Sequence, residues 1–144
     1  MNTPQQVTTA FQWPIRVYYE DTDAGGVVYH AAYLRFMERA RTEWLRAFGL
    51  EQDQIRDEWG LLFVVRQLAI HFVQPARFNE ELRVTVAVAH TKAASLEFEQ
   101  TVLRANGGVC CQARVNIACV NAQSLRPQRI PSAFLDAWST RIDG

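Results

Sequence analysis

The chain has 144 residues, 49% of them hydrophobic and 11% aromatic, which is enough for the core of one domain and too little for two. Its formal net charge is +0 with a sequence pI near 6.8, so no global positive field draws it to nucleic acid or to an anionic lipid surface. Fourteen of the fifteen basic residues are arginine, Lys92 being the one lysine, and this reads as coding bias rather than as phosphate recognition.

Residues 1–10 read as a flexible N-terminal tail and 11–144 as a single domain. Met1 to Gln12 lacks the basic, apolar, small-residue order of a signal peptide, and no apolar run approaches the roughly 20 residues that span a bilayer. The expectation is a cytoplasmic protein without a transmembrane segment.

Trp13 to Tyr19 is predicted as a first strand, with Ile15 and Val17 on one face and Arg16 and Tyr18 on the other. The segment Tyr18-Tyr19-Glu20-Asp21-Thr22-Asp23-Ala24-Gly25-Gly26-Val27-Val28-Tyr29-His30 follows, placing three acids and two adjacent glycines where the backbone turns before a helix. A helix start offers unpaired N–H groups to negative charge, so a carboxylate beside it points to acyl transfer.

From about His30 to Phe48, apolar Tyr33, Phe36, Met37, Ala40, Trp44 and Phe48 recur at three- and four-residue steps. Arg35, Glu38, Arg39, Arg41, Glu43 and Arg46 take the other side, and Gly49 ends this amphipathic helix. Its length, roughly 28 Å at 1.5 Å per residue, presents one apolar stripe to a sheet.

Period-two alternation predicts that sheet: Leu68, Ile70 and Phe72; Leu82, Val84, Val86 and Val88; Leu96, Phe98, Gln100 and Val102. Gln74 to Glu81, with Pro75, separates the first two strands, and Asn106-Gly107-Gly108 turns the third into Val109 to Val120. Pro131 to Ile142 reads as a terminal helix carrying Phe134, Leu135 and Trp138 on one side.

Cys110, Cys111 and Cys119 are odd in number and fall in a strand, which supports buried thiols rather than disulfides or a CxxC metal site. His71 and His90 lack further ligands at metal spacing, so no metal is expected. One strand, one long helix and four antiparallel strands make an α+β domain with the sheet curved around the helix.

The run Arg16 to His30, with Tyr33-Leu34 and Phe36-Met37-Glu38-Arg39-Ala40-Arg41-Thr42-Glu43-Trp44-Leu45-Arg46, resembles the 4-hydroxybenzoyl-CoA thioesterase family of hotdog-fold proteins. The likeness is greatest to its YbgC-type branch, the acyl-CoA thioesterases of the Tol–Pal gene cluster. The resemblance implies a five-stranded antiparallel sheet around one central helix, and a homodimer or homotetramer whose protomers join edge to edge with active sites between them. It also implies a bacterial cytoplasm with inner-membrane association through partners, and no cofactor, coenzyme A being part of the substrate.

By the same resemblance Asp23 is the catalytic carboxylate, with functional weight on Tyr19 and His30. A carboxylate is charged at neutral pH and can act as general base or as direct nucleophile on a thioester carbonyl, and both routes stay open. Taken alone, Asp23 is more often an Asx-turn former than a catalyst, and the motif around it reverses that reading; His30 reads as active-site contact ahead of a helix-start residue, and Tyr19 is secondary, a strand-end tyrosine being usually a packed one. Gly25, Gly26 and Val27 are the candidate substrate-binding positions, the glycines because they allow close backbone approach. Asp21 and Glu20 are alternative acids; another hotdog type carries its acid on the helix, where Glu38 and Glu43 read instead as salt-bridging surface groups.

The leading reading is an acyl-CoA thioesterase releasing a free acid and coenzyme A, with the helix start near His30 as oxyanion site. The alternatives are a non-catalytic acyl-CoA or acyl-carrier-protein scaffold and a hotdog dehydratase. Lys92, Arg83, Arg104 and Arg126 are available for the coenzyme's phosphates, with no choice made among them. Phe36, Met37 and Leu62 either line the acyl slot or fill the core.

Overall fold

The computed structural model describes residues 11–143, so the proposed tail lies outside the described residues. The sheet has the order β1-β3-β4-β5-β2, and every neighbouring pair is antiparallel. Its strands are β1 (Phe11–Arg16), β2 (Leu61–Phe72), β3 (Glu81–Thr91), β4 (Ser95–Leu103) and β5 (Val109–Asn121). The helix α1 (Ala32–Ala47) lies over β1, β3 and β4.

Alternation decides which side chains meet the helix. Ile15 and Val17, Leu82, Val84 and Val86, Leu96, Phe98 and Val102, and Cys111, Ala113, Val115 and Ile117 are all buried. Against them α1 lays Tyr33, Phe36, Met37, Ala40 and Trp44, also buried, as its three- and four-residue spacing requires. The helix stops where Gly49 takes φ 79, a left-handed conformation that a Cβ disfavours.

Gln100 belongs to the inward row of β4, and its burial is made tolerable by hydrogen bonds. Its Nε2 donates to the Met37 carbonyl at 3.1 Å and to the Thr85 carbonyl at 3.3 Å, while its Oε1 accepts from Arg41 at 2.9 Å. The amide thereby ties α1 to β3 and β4. Burial pushes the Arg41 guanidinium below its ordinary pKa.

The sequence reading placed the second strand too late and the first two residues late. β2 begins at Leu61, because Leu61 to Val65 is a continuous apolar run without alternation and a bulge between Val65 and Gln67 resets the phase. A short helix α2 (Gln52–Gln54), continued by one wide helical turn over Ile55–Trp59, precedes it and was not anticipated. A terminal helix α3 (Ser132–Asp143) forms as expected, and Phe134 and Trp138 cover Phe63 at one end of β2.

All three cysteines are buried and free. Burial pushes the Cys110 and Cys119 thiols up to about 11 and Cys111 to about 12 from an ordinary 9.0. In the unfolded chain these thiols ionise near 9, whereas the folded chain keeps their protons, so raising pH pulls the equilibrium toward unfolding. Stability is therefore expected to be unaffected by the thiols below about pH 8 and to fall from about pH 9 upward. Denaturant melts across that range check this, and replacing Cys111 by Ser or Ala should lessen the slope. Alkylation at neutral pH should label the cysteines only after denaturation.

Candidate active site

The segment between β1 and α1 folds as a hairpin. Tyr29 N–H donates to the Asp21 carbonyl at 2.8 Å, Thr22 bridges Val28, and Asp23 N–H donates to the Val27 carbonyl at 2.9 Å. Ala24, Gly25 and Gly26 make the tip, with Gly26 at φ 80 in the left-handed region. Val27 also bridges Arg77, so the hairpin is zipped on its other side to the loop between β2 and β3.

Asp23 stands exposed near the tip. One carboxylate oxygen accepts from the Gly25 N–H at 2.9 Å, and a Cβ at Gly25 would sit only 3.3 Å from that oxygen. The Asx turn and the candidate catalytic carboxylate are thus the same geometry rather than rivals, since the turn fixes the carboxylate and leaves its second oxygen without a donor among the described residues.

Asp21 differs from both its acidic neighbours. It is 3% exposed, accepts from Tyr18 N–H at 2.8 Å and faces Arg35 at 3.3 Å, so it frames the hairpin from inside. Glu20 is exposed. Glu38 bonds Thr42 and Glu43 pairs with Arg46, both outward on α1, which leaves no acid of that helix facing the sheet.

His30 follows the hairpin, and its ring lies 4.4 Å from that of Tyr29 and 6.3 Å from that of Phe72. No side chain caps α1, and the backbone N–H groups of His30 and Ala31 donate to no acceptor among the described residues. These are donors of the kind that receive charge on a carbonyl oxygen. Beside them opens a largely apolar cavity of about 200 Å³ lined by Val28, His30, Tyr33, Phe72, Val73, Gln74 and Pro75. At its wall the Tyr33 hydroxyl accepts from Ala76 N–H at 3.0 Å, and burial pushes the Tyr33 phenol up to about 12, so it stays protonated.

Tyr19 is placed apart from this cavity. Tyr19 is 79% exposed and its ring stacks on Phe78 at 4.5 Å, and no hydrogen bond joins it to Asp23 or His30. Phe36 and Met37 are fully buried core, and neither they nor Leu62 line the cavity. The walls from Phe72 to Pro75 escaped the sequence reading, where Pro75 signalled only a break between strands.

The sequence matches the thioesterase-like superfamily over residues 17–138. The chain belongs to that family. It is 46% identical over 128 residues to the acyl-CoA thioesterase YbgC of Haemophilus influenzae, covering 89% of this chain and 93% of that one. To the acyl-CoA thioester hydrolase YbgC of Escherichia coli O157:H7 it is 41% identical over 128 residues, covering 89% and 95%. Among solved structures, a probable thioesterase from Bartonella henselae matches at 36% identity with a TM-score of 0.79, over 83% of this chain and 98% of that one.

Family membership gives the α+β architecture its name, the hotdog fold, in which the sheet wraps the central helix. The hairpin and the helix start are local departures from regular structure on that otherwise regular thioesterase-like scaffold. Among the described residues no helix is long and apolar enough to cross a membrane.

Proposed function

We propose that the chain hydrolyses acyl-CoA thioesters to a free carboxylic acid and coenzyme A, with Asp23 as the acid that drives acyl cleavage. The observation that carries this reading is an exposed, turn-fixed carboxylate on the hairpin that leads into an uncapped helix start and an apolar cavity. The names of the YbgC relatives support the same substrate class.

The thioester carbonyl is bound with its acyl group in the cavity beside His30 and Tyr33. Asp23 either attacks the carbonyl carbon or takes a proton from an attacking water. Both routes put negative charge on the carbonyl oxygen, where the free N–H groups of His30 and Ala31 stabilise it, and both expel the coenzyme as thiolate; in the nucleophilic route water then hydrolyses the acyl–Asp23 anhydride, releasing the acid and restoring the carboxylate. The His30 ring orients the thioester, and Gly25, Gly26 and Val27 shape the approach of the pantetheine arm, while Tyr19 stands farther out.

A second copy of the chain completes the site in this reading. β2 is a free sheet edge of 12 residues, and Val65, Leu68 and Phe72 of its inward row are 52%, 36% and 45% exposed. A long apolar edge of this kind is stable in water only when paired or covered. Sedimentation should give a dimer or tetramer, and Val65→Asp with Leu68→Asp should shift it toward monomer with loss of turnover; a fully active monomer would overturn the shared site.

The test of function is thiol release from short-, medium- and long-chain acyl-CoAs and from the matching acyl-carrier-protein thioesters. Turnover of the coenzyme thioesters is expected, and the panel ranks the acyl chains. No release from any of them, with tight binding retained, would leave a binding scaffold instead.

A further inference from the structure

We propose that the stacked Tyr19–Phe78 pair, flanked by Arg77, is the docking surface for the adenine-nucleotide end of the coenzyme A thioester; this rests on the acyl-CoA reading above. Two large aromatic rings stand in solvent there, Tyr19 at 79% and Phe78 at 46% exposure, with centroids 4.5 Å apart and planes within 19°. One ring shields the inner face of the other, which leaves the outer face of Tyr19 as a flat, uncovered surface of the sort on which a base stacks.

The pair is held rather than loose. The Tyr19 carbonyl accepts from the Thr22 hydroxyl at 2.7 Å and from Thr22 N–H at 3.0 Å, which fixes the turn beneath its ring. Phe78 precedes Asn79, which sits at φ 72, donates to the Val17 carbonyl at 2.9 Å and accepts from Arg16 at 2.8 Å. A left-handed non-glycine residue tied on both sides presents Phe78 outward in one orientation.

The location suits the substrate. Arg77 bridges Val27, and Val27 accepts from Asp23 N–H, so Arg77 lies two strand spacings, roughly 10 Å, from the catalytic backbone. A folded pantetheine arm covers that distance between a thioester and its nucleotide.

Charge is available at the same place, with exposed Arg83 near the same end of β3 a second cation that the Arg77 variant below distinguishes. The Arg77 guanidinium makes no hydrogen bond or ion pair among the described residues, whereas Arg16 is tied to Asn79, Arg35 to Asp21 and Arg104 to Glu80 and Gln74. Lys92 follows the far end of β3, and Arg126 adjoins the Leu61 end of the sheet, both remote from the hairpin. Glu20 is exposed beside Tyr19 and opposes an anion there, so stacking supplies more of the affinity than net charge does.

The test compares wild type, Phe78→Ala and Arg77→Gln on one acyl group carried by coenzyme A, by dephospho-coenzyme A and by pantetheine. For Phe78→Ala the expected result is a KM for acyl-CoA raised roughly tenfold with kcat retained, and no change with acyl-pantetheine. For Arg77→Gln the KM rises with acyl-CoA and less with the dephospho form. Equal losses on all three thioesters would mean that these residues only position the loop, and unchanged KM values would mean that the nucleotide lies elsewhere; either overturns the proposal. Calorimetric titration of free coenzyme A reads the surface without turnover. Weaker binding by Phe78→Ala supports the proposal even if no thioester is cleaved, and equal binding rejects it.

Discussion

Asp23→Asn is expected to lose at least about a hundredfold in turnover of acyl-CoA, and up to about ten-thousandfold, while keeping its melting temperature. Asparagine retains a side-chain oxygen, so the bond from Gly25 N–H survives and the hairpin tip keeps its shape. What disappears is the negative charge and the basic oxygen, which neither the general-base nor the nucleophilic route can do without. Because Asp23 is exposed and carries no packing, the variant separates chemistry from folding cleanly. Steady-state thiol release beside a thermal melt is the measurement, and a folded variant with full turnover would move catalysis to another group.

The N–H donors near His30 explain why such a variant should retain some rate above that in water. In the proposed mechanism they act on the carbonyl oxygen whatever performs the attack, and donors of this type are worth about 3 kcal/mol each in other acyl-transfer sites. Replacing the His30 ring tests a different quantity, since the backbone donor remains when the side chain changes.

The hairpin and helix were legible in the sequence because their signals are local. The acids and glycines between Tyr18 and His30 mark a turn, and the stripe from Tyr33 to Trp44 marks a buried helix face, which is where both appear. Less legible were features decided by distant partners. Gln100 sits in an apolar row because Met37, Thr85 and Arg41 satisfy it, three residues separated from it along the chain. The cavity wall from Phe72 to Pro75 meets His30 and Tyr33 through contacts distant along the chain: the Phe72 ring beside both of theirs, the bonds from Val28 to Ala76 and from Ala76 to Tyr33, and the bridge from Val27 to Arg77. Tyr19 shows the limit most plainly, since its neighbour Phe78 lies in a segment that alternation leaves blank.

The three acids of the hairpin could not be ranked from composition, and Asp21 offers the sharpest test of their division of labour. A short helical turn at Tyr19–Asp21 carries the Asp21 carboxylate back to the Tyr18 N–H, while its carbonyl receives Tyr29 N–H across the hairpin base. Arg35 is half exposed, so its ion pair with Asp21 is screened and contributes less than the bond to Tyr18. Asp21→Ala leaves that backbone donor and the buried site unsatisfied, at an expected cost of about 1.5–3 kcal/mol. That corresponds to a melting temperature lower by roughly 5–10 °C in a domain of this size. Measured well below that temperature, turnover should still fall, because Asp23 and His30 keep their relative placement only through the hairpin that Asp21 closes. Asp21→Asn, which preserves an acceptor for Tyr18, should recover much of the stability and part of the rate. The two acids therefore leave opposite signatures: Asp23→Asn loses rate at constant stability, and Asp21→Asn regains what Asp21→Ala loses. A reversed pattern, with Asp21→Asn stable but inactive and Asp23→Asn active, would assign catalysis to the buried acid and make Asp23 the turn former.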